Sequence, residues 1–316
     1  MNRPSHELVF RGLDGGNSLA FLAALGTLRT LTLAWSEDEI ALSWSREAGS
    51  FRPRLHMRRQ VDAEMLVNTL HAELRSMAGH PALGFADNLN VTPSRFREYA
   101  ISAVNAANAD SDKRGGRTWA DFAAAFACEA TTNTSNKEST VQDTALRTMS
   151  GAGHQNFLKF MRDLIAATEP LHLHHALFED WRYEDEGRGL NMRWDPADDR
   201  RYALRWSDPS SDPSRTVRGA NRLAIEAIPM LTSIPVGSRL ETTGIANRGR
   251  DGVFWIWPIW SAPLSKDAVE SLLAFGGLQD DGFARLSRVS MGIEAIYRSQ
   301  RIRIGKFRNF TPAEQV

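Results

Sequence analysis

The sequence has very little cysteine. Its 316 residues contain one, Cys128, which lies in the apolar run that begins at Phe122. One thiol cannot form a disulfide within the chain, and it cannot supply the several ligands of a structural zinc site. A cysteine among apolar residues is typical of a small buried side chain. We therefore expect no disulfide framework and no cysteine-based metal centre or nucleophile.

The sequence also lacks an excess of charge of one sign. It contains 38 basic and 38 acidic side chains, so its formal net charge is zero. A whole-molecule field therefore does not attract the protein to nucleic acids or membranes, and any electrostatic function depends on local clusters. The most apolar segment, Leu19–Ala34, contains Arg29 and is too short to cross a bilayer. Because the first residues also lack a signal-peptide layout, we expect a cytoplasmic protein.

What is present is an ordinary globular balance, with 42% hydrophobic and 24% charged residues. In the first half, residues 19–33 are apolar nearly all round, which predicts a buried helix. Over 61–77 the apolar residues recur with a helical period. Thr92 followed by Pro93 is typical of a helix start. Alternating apolar and polar residues over 40–57 predict a β-hairpin.

Beyond Pro170 the patterns are more often those of strands. Strands are predicted at 181–183, 190–194, 202–206, 239–246, 253–257 and 288–297. Ser265 is predicted to cap a helix that ends near Phe275. The sequence therefore predicts an α+β fold, with a helix-rich region containing a short hairpin at 1–170 and a mostly antiparallel, strand-rich α+β region at 171–316. The alternative is that both regions form one continuous globular domain.

Two segments have turn-like or polar composition. Gly12–Asn17 is rich in glycine and precedes the first helix, so its backbone amides are a candidate phosphate cradle. It lacks the lysine and spacing of a P-loop, and we favour a plain turn in which Asn17 or Ser18 caps the helix. Thr131–Gly153 is polar without a clear period, and we expect a mobile segment there.

Three histidines lie close together, at His172, His174 and His175. In a strand, His172 and His174 would share a face, as the ligands of a metal do. No cysteine or carboxylate stands at a familiar ligand spacing from them. We therefore favour structural or solvent-facing histidines over a metal site.

A dense polar cluster follows Trp194, and its carboxylates are candidates for Mg²⁺ binding and phosphodiester hydrolysis. The candidate catalytic residues of such a nuclease are Asp195, Asp198, Asp199 and His154. The alternative is turn chemistry in which Arg200 and Arg201 neutralise the acids. Because a hairpin corner clusters its ligands on one side only, we favour the turn and assign no catalytic residue, metal or cofactor.

Three tryptophans, Trp255, Trp257 and Trp260, stand within seven residues of mostly apolar sequence. Such rings pack in cores or at contact surfaces. We favour a core strand. The alternative is a contact patch, which would suit a purely protein-binding adaptor.

The last part of the chain carries the most distinctive electrostatic pattern. Between Arg285 and Arg308 there are seven basic residues and one acidic residue, Glu294, on a chain that is neutral overall. Arginines mixed with aromatic residues suit phosphate contacts and base stacking. The candidate nucleic-acid-binding residues are Arg298, Arg301, Arg303, Lys306, Phe307 and Arg308, with Phe310 as a second stacking candidate. The alternative is a solvated basic face.

Four blocks of the sequence, at both ends and in the middle, carry a resemblance to a known family. The blocks are Gly12–Gly26, Leu190–Leu204, Ala220–Pro229 and Ser299–Pro312. The most specific parts are Trp194-Asp-Pro followed by Asp199-Arg-Arg-Tyr202, and Gly305-Lys-Phe-Arg-Asn-Phe310. They resemble a family of type I-G (formerly I-U) CRISPR systems that is named as an extension of the helicase–nuclease.

The resemblance implies a role in CRISPR antiviral defence, beside the crRNA-guided effector complex or the helicase–nuclease. The chain contains no Gly-Lys-Thr or Gly-Lys-Ser phosphate loop, so it cannot itself supply ATP-driven unwinding. We therefore expect a non-catalytic subunit or accessory factor that contacts the effector complex, its RNA or DNA, or both. The alternatives are the metal-dependent nuclease and the protein-binding adaptor.

Overall fold

A computed structural model describes residues 6–109, 114–133, 139–149, 156–183, 190–198, 216–280, 285–304 and 307–316. Within these ranges the chain has an α+β fold, as the sequence predicts. Its helices are α1 (Ser18–Ala34), α2 (Ala63–Ser76), α3 (Pro81–Gly84), α4 (Pro93–Ala109), α5 (Gly115–Phe126), α6 (Phe157–Ala167), α7 (Pro170–Phe178), α8 (Arg218–Ile225), α9 (Lys266–Leu273) and α10 (Arg285–Ser290).

All strand pairs in the described ranges are antiparallel. The strands are β1 (His6–Val9), β2 (Ala41–Glu47), β3 (Ser50–Met57), β4 (Ala127–Asn133), β5 (Thr140–Asp143), β6 (Ser233–Val236), β7 (Arg239–Thr242), β8 (Ile245–Asn247), β9 (Val253–Trp260), β10 (Leu264–Ser265), β11 (Ile293–Ile304), β12 (Phe307–Phe310) and β13 (Glu314–Gln315). They form one sheet in the order β1-β3-β2-β10, a second in the order β12-β11-β9-β8 with β13 beside β11, and the separate pairs β4-β5 and β6-β7.

Helix α1 lies at the centre of the molecule. Every residue from Ser18 to Leu31 is buried. The Oδ1 atom of Asn17 accepts hydrogen bonds from the amides of Leu19 at 2.9 Å and Ala20 at 3.1 Å, which satisfies two of the donors that a helix start leaves open. The interpretation of Gly12–Asn17 as a turn with a helix cap is therefore confirmed.

The predicted hairpin of the first half is also confirmed. Strands β2 and β3 pair from Ala41 with His56 to Glu47 with Ser50. The two residues between them, Ala48 and Gly49, have φ values of 47° and 93°. Positive φ at both central positions matches the twist that tight hairpins favour.

The aromatic core joins α1 to both large sheets. The ring of Phe21 lies 5.7 to 6.2 Å from four indole rings, centroid to centroid. Those indoles belong to Trp44, Trp255, Trp257 and Trp260. The indole N–H of Trp257 donates to the carbonyl of Gly15 at 2.8 Å, and that of Trp260 donates to the carbonyl of Leu42 at 2.7 Å. The core interpretation of the tryptophans is confirmed, and the contact-patch alternative is wrong.

Two of the predicted strands are wrong. Residues 181–183 and 190–194 form no strand, and Tyr183 and Arg193 have positive φ values of 57° and 59°. In the second segment, side chains replace a strand ladder: the amide of Met192 donates to Asn221 Oδ1, and its carbonyl accepts from Thr148 Oγ1. The sequence pattern predicted a strand because the apolar residues Met192 and Trp194 stand two positions apart. Both are fully buried, but the backbone that carries them is not a strand. The predicted strand at 202–206 lies outside the described residues.

The histidines lie on a helix, not on a strand. Pro170 stands at the first position of α7, where its missing N–H costs nothing. The Nδ1 atom of His172 accepts the amide of Glu169 at 2.9 Å, and its Nε2 atom lies 3.2 Å from Arg218 Nη1. His172 therefore has a structural role. Because it lies on a helix, it does not share a strand face with His174.

Three further boundaries differ from the sequence prediction. Helix α5 ends at Phe126, so Cys128 lies on β4 and is only partly buried. The described part of 131–153 is not a polar mobile stretch, because β5 and the buried side chains of Val141, Leu146 and Met149 lie in it. The pattern at 288–297 contains the end of α10, and β11 begins only at Ile293.

Several other features agree with the sequence prediction. Strand β8 pairs with β9 across the predicted turn, and the Ser265 hydroxyl accepts the amide of Ala268 at the start of α9. Apolar side chains from before and after residue 170 pack in the same main core. No helix in the described ranges combines the length and the apolar character that a membrane span requires.

Helices α1 and α8 pack so closely that their backbones are in contact at Gly26. A Cβ atom added to Gly26 would lie 1.8 Å from the carbonyl oxygen of Leu223. Next to this contact, Glu226 accepts from Arg29 and from Arg222, each at 2.9 Å, in a fully buried ion network. The two helices therefore cannot separate without exposing paired charges.

We predict that Gly26→Ala lowers the free energy of unfolding by about 1–3 kcal/mol or more, because the backbone of α8 must move away. The matched control is Gly84→Ala, since an added Cβ there meets no atom within 4 Å. Urea unfolding followed by circular dichroism measures both. Equal stability of the two variants would contradict the close approach of α1 and α8.

Candidate nucleic-acid interface

The hairpin β11–β12 places three of the predicted cations on one face. Arg301 and Arg303 are two residues apart on β11, so their side chains leave the same side of the strand. Arg308 of β12 stands directly opposite Arg303 in the antiparallel register. Like charges at such close positions destabilise a hairpin, and another feature of the protein must therefore offset them.

A fourth arginine that the sequence analysis did not single out joins this group. Arg147 follows β5 and is almost fully buried. Its carbonyl accepts a hydrogen bond from Arg301 Nη2 at 2.8 Å. Its guanidinium forms an ion pair with Asp143 at 3.0 Å and donates to Asn90 Oδ1 at 2.7 Å. Because 154 residues separate Arg147 from Arg301, no local pattern could have associated them.

These residues line a cavity of about 360 Å³ that we call the arginine cavity. Its wall comes from four strand pairs, β4–β5, β6–β7, β8–β9 and β11–β12. The charged residues described in its lining are Arg147, Arg239, Arg301, Arg308, Asp143 and Glu241. Among these described residues, four positive and two negative side chains give a net charge of +2, on a protein that is neutral overall.

Burial and repulsion from neighbouring cations lower the pKa of two guanidiniums in the cavity, those of Arg301 and Arg308. Burial, followed by the nearby charge of Arg308, lowers the pKa of Arg301 to about 10. Burial also lowers the pKa of Arg308, and Arg147 adds to that effect. Burial raises the pKa of the Asp143 carboxyl, while Arg147, Arg308 and Arg301 oppose the shift. With a pKa of about 10, Arg301 remains charged near neutral pH, and the Asp143 carboxylate faces it across the cavity.

The cavity also contains hydrogen-bond donors that are not satisfied. The Nε atoms of Arg147 and Arg301 are fully buried and make no hydrogen bond. Among the residues that the structure describes, the Arg308 guanidinium has no hydrogen-bonded or ion-paired partner. The Arg308 guanidinium lines the cavity and is only partly buried, so it can donate to an anion with several oxygens. The arrangement is chemically suited to binding a phosphate group.

The other predicted nucleic-acid residues lie elsewhere. Arg298 donates to Glu314 Oε1 from its Nε atom at 2.9 Å, lies over the ring of Phe254, and does not line the cavity. Phe310 is fully buried, with its ring 5.6 Å from that of Trp255, so its assignment as a base-stacking residue is wrong. Lys306 and the side chain of Phe307 lie outside the described residues.

The acidic cluster has one described side chain, that of Asp195. It is 1% exposed, and its Oδ1 atom accepts from Asn17 Nδ2 at 3.1 Å and from the amide of Ala197 at 3.0 Å. It thereby supports the residue that caps α1. The side chain of Asp198, and all of Asp199 and His154, lie outside the described residues. Within the ranges that are described, no three acidic, histidine or cysteine side chains are grouped as a metal site requires.

We predict that Asp143→Asn lowers the free energy of unfolding by about 3 kcal/mol, because it removes the buried carboxylate that faces the cavity arginines. Inorganic phosphate should restore part of this loss by supplying the missing negative charge. Thermal unfolding with and without phosphate measures both effects.

The control for this variant is Asp163→Asn, which breaks the exposed pair with Lys159 at the same sequence spacing. Its effect should stay below about 0.5 kcal/mol and should not depend on phosphate. If Asp143→Asn behaves like this control, Asp143 does not balance the arginines.

Known proteins give no further guide to the site. No family model matches the chain, and neither a curated protein nor a solved structure matches it.

Proposed function

We propose that this chain is a non-catalytic nucleic-acid-binding protein whose phosphate contacts are the guanidiniums of the arginine cavity. The observation that carries the proposal is the convergence of Arg147, Arg301 and Arg308 on one cavity. Among its described lining residues, Asp143 is the one carboxylate whose side chain is largely buried, at 7% exposure. Guanidiniums bind phosphate oxygens through paired N–H donors, and they remain charged at every physiological pH.

The position of Arg303 also supports phosphate binding. The exposed Arg303 stands on β11 at the edge of this group and lowers the pKa of both Arg301 and Arg308 through its charge. A row of cations from a recessed cavity to the open surface can follow a phosphate backbone. Contacts of this kind position a strand without reading its sequence.

The biological setting that we propose is type I-G CRISPR antiviral defence in the cytoplasm. Its support is the resemblance of the four sequence blocks, the last of which, Ser299–Pro312, contains Arg301, Arg303 and Arg308. In this setting the chain is a subunit or accessory factor of the crRNA-guided effector complex or its helicase–nuclease. The RNA or DNA of that complex supplies the phosphates.

The variant that tests the phosphate contacts is Arg308→Gln. We predict that it weakens binding to single-stranded RNA or DNA about tenfold, the effect of losing one charge-assisted hydrogen-bond contact. It should also reduce the slope of log affinity against log salt by about 0.7. Its melting temperature should stay equal or rise, because the substitution relieves repulsion from Arg303 and Arg147.

Fluorescence anisotropy with single-stranded RNA, single-stranded DNA and duplex DNA, at two salt concentrations, measures these effects. The matched control is Arg298→Gln on the same strand, which removes a cation already paired with Glu314. Equal losses in the two variants would mean that general positive charge, and not the cavity, holds the ligand. Absence of binding to every probe at low salt would remove the proposal.

A further inference from the structure

The arginine cavity has features that separate two kinds of phosphate. An internal phosphodiester is flanked by a sugar on each side, so the strand must pass along a surface or through an open groove. The described walls of the arginine cavity come from four strand pairs, and the side chains of Arg147 and Asp143 in its lining are only 5% and 7% exposed. Side chains that are recessed in this way are reached most easily by a group that projects from the end of a chain.

Charge favours the same kind of ligand. The described lining carries a net charge of +2 when Asp143 is ionised. A phosphate monoester carries about −1.5 to −2 at neutral pH, whereas each internal phosphodiester carries a single negative charge. The monoester is therefore the ligand whose charge matches that of the cavity.

A monoester also offers more acceptor oxygens to the cavity arginines than a diester does. A monoester offers three strong acceptor oxygens, and a diester has only two that are not bonded to carbon. Arg147, Arg301 and Arg308 each hold guanidinium N–H groups without an acceptor. Among the described lining residues there is no aromatic side chain on which a base could stack.

We propose that the arginine cavity binds the terminal phosphate monoester of a nucleic-acid strand. This inference rests on the proposed function and names the part of the nucleic acid that the site recognises. It makes the protein a sensor of phosphorylated strand ends, independent of base sequence. Internal phosphates then contact only the exposed cations outside the cavity, such as Arg303.

The test compares oligonucleotides of one sequence that carry a 5′-hydroxyl, a 5′-phosphate or a 3′-phosphate, each labelled at the opposite end. The full chain should bind one phosphorylated form about tenfold more tightly than the hydroxyl form, and the preferred end identifies the polarity. Inorganic phosphate should compete with that form. The preference should shrink below about pH 6, where the monoester takes up a proton.

Two variants test whether the arginine cavity causes the preference for a phosphorylated end. Arg308→Gln should abolish it, while Arg298→Gln should leave it unchanged, since Arg298 does not line the cavity. The melting temperature of each variant shows that it is folded. A preference that survives in Arg308→Gln would place the end-binding site elsewhere and overturn the inference.

The remaining outcomes separate the two proposals. Equal, salt-sensitive binding of all three oligonucleotides overturns terminal recognition and leaves nucleic-acid binding standing. Absence of binding to all three, at low salt and with folded protein, overturns both.

Discussion

Helix α1 is buried on all sides, and most of the other elements are placed by the need to cover it. Its turns from Ser18 to Leu31 expose almost nothing, so different elements must pack against each of its faces. Helix α8 approaches at Gly26, and the tryptophans of β9 surround Phe21. Burial of large apolar side chains is the main source of folding free energy, so this packing sets the frame for the surface elements.

The arginine cavity depends on this frame. Strand β9 is fixed by its tryptophans, and β11 pairs with it from Ile293 opposite Trp260 to Arg301 opposite Val253. This pairing carries the β11–β12 hairpin to the loop that contains Arg147. Gathering several guanidiniums around one buried carboxylate costs free energy, and the apolar core offsets that cost. Clusters of this kind are typical of functional sites, and we propose that an anionic ligand completes this one.

Local chemistry explains which elements could be predicted from the sequence. The cap at Asn17, the hairpin around Gly49 and the helix after Ser265 each depend on residues within a few positions of one another. The tryptophan strand was recognisable because its composition is that of a core. The basic segment of β11 and β12 was recognisable because its charge differs from that of the neutral chain.

The rest depends on contacts between distant residues. The segment around Trp194 resembles a strand, but its backbone hydrogen bonds go to Thr148, to Asn221 and to Ser18. Arg147 and Asp143 belong to the site only because folding brings β5 against β11. Phe310 alternates with cations along the sequence, yet the pairing of β12 turns its ring into the core. No local pattern contains this information.

The central claim is that the cavity guanidiniums, and not exposed charge in general, hold phosphate. The most direct measurement is nuclear magnetic resonance of the arginine Nε–H groups during titration with inorganic phosphate. We expect the signals of Arg147 and Arg301 to shift together and saturate, while that of Arg298 stays constant. Constant signals from Arg147 and Arg301, or shifts spread evenly over the surface arginines, would contradict this claim.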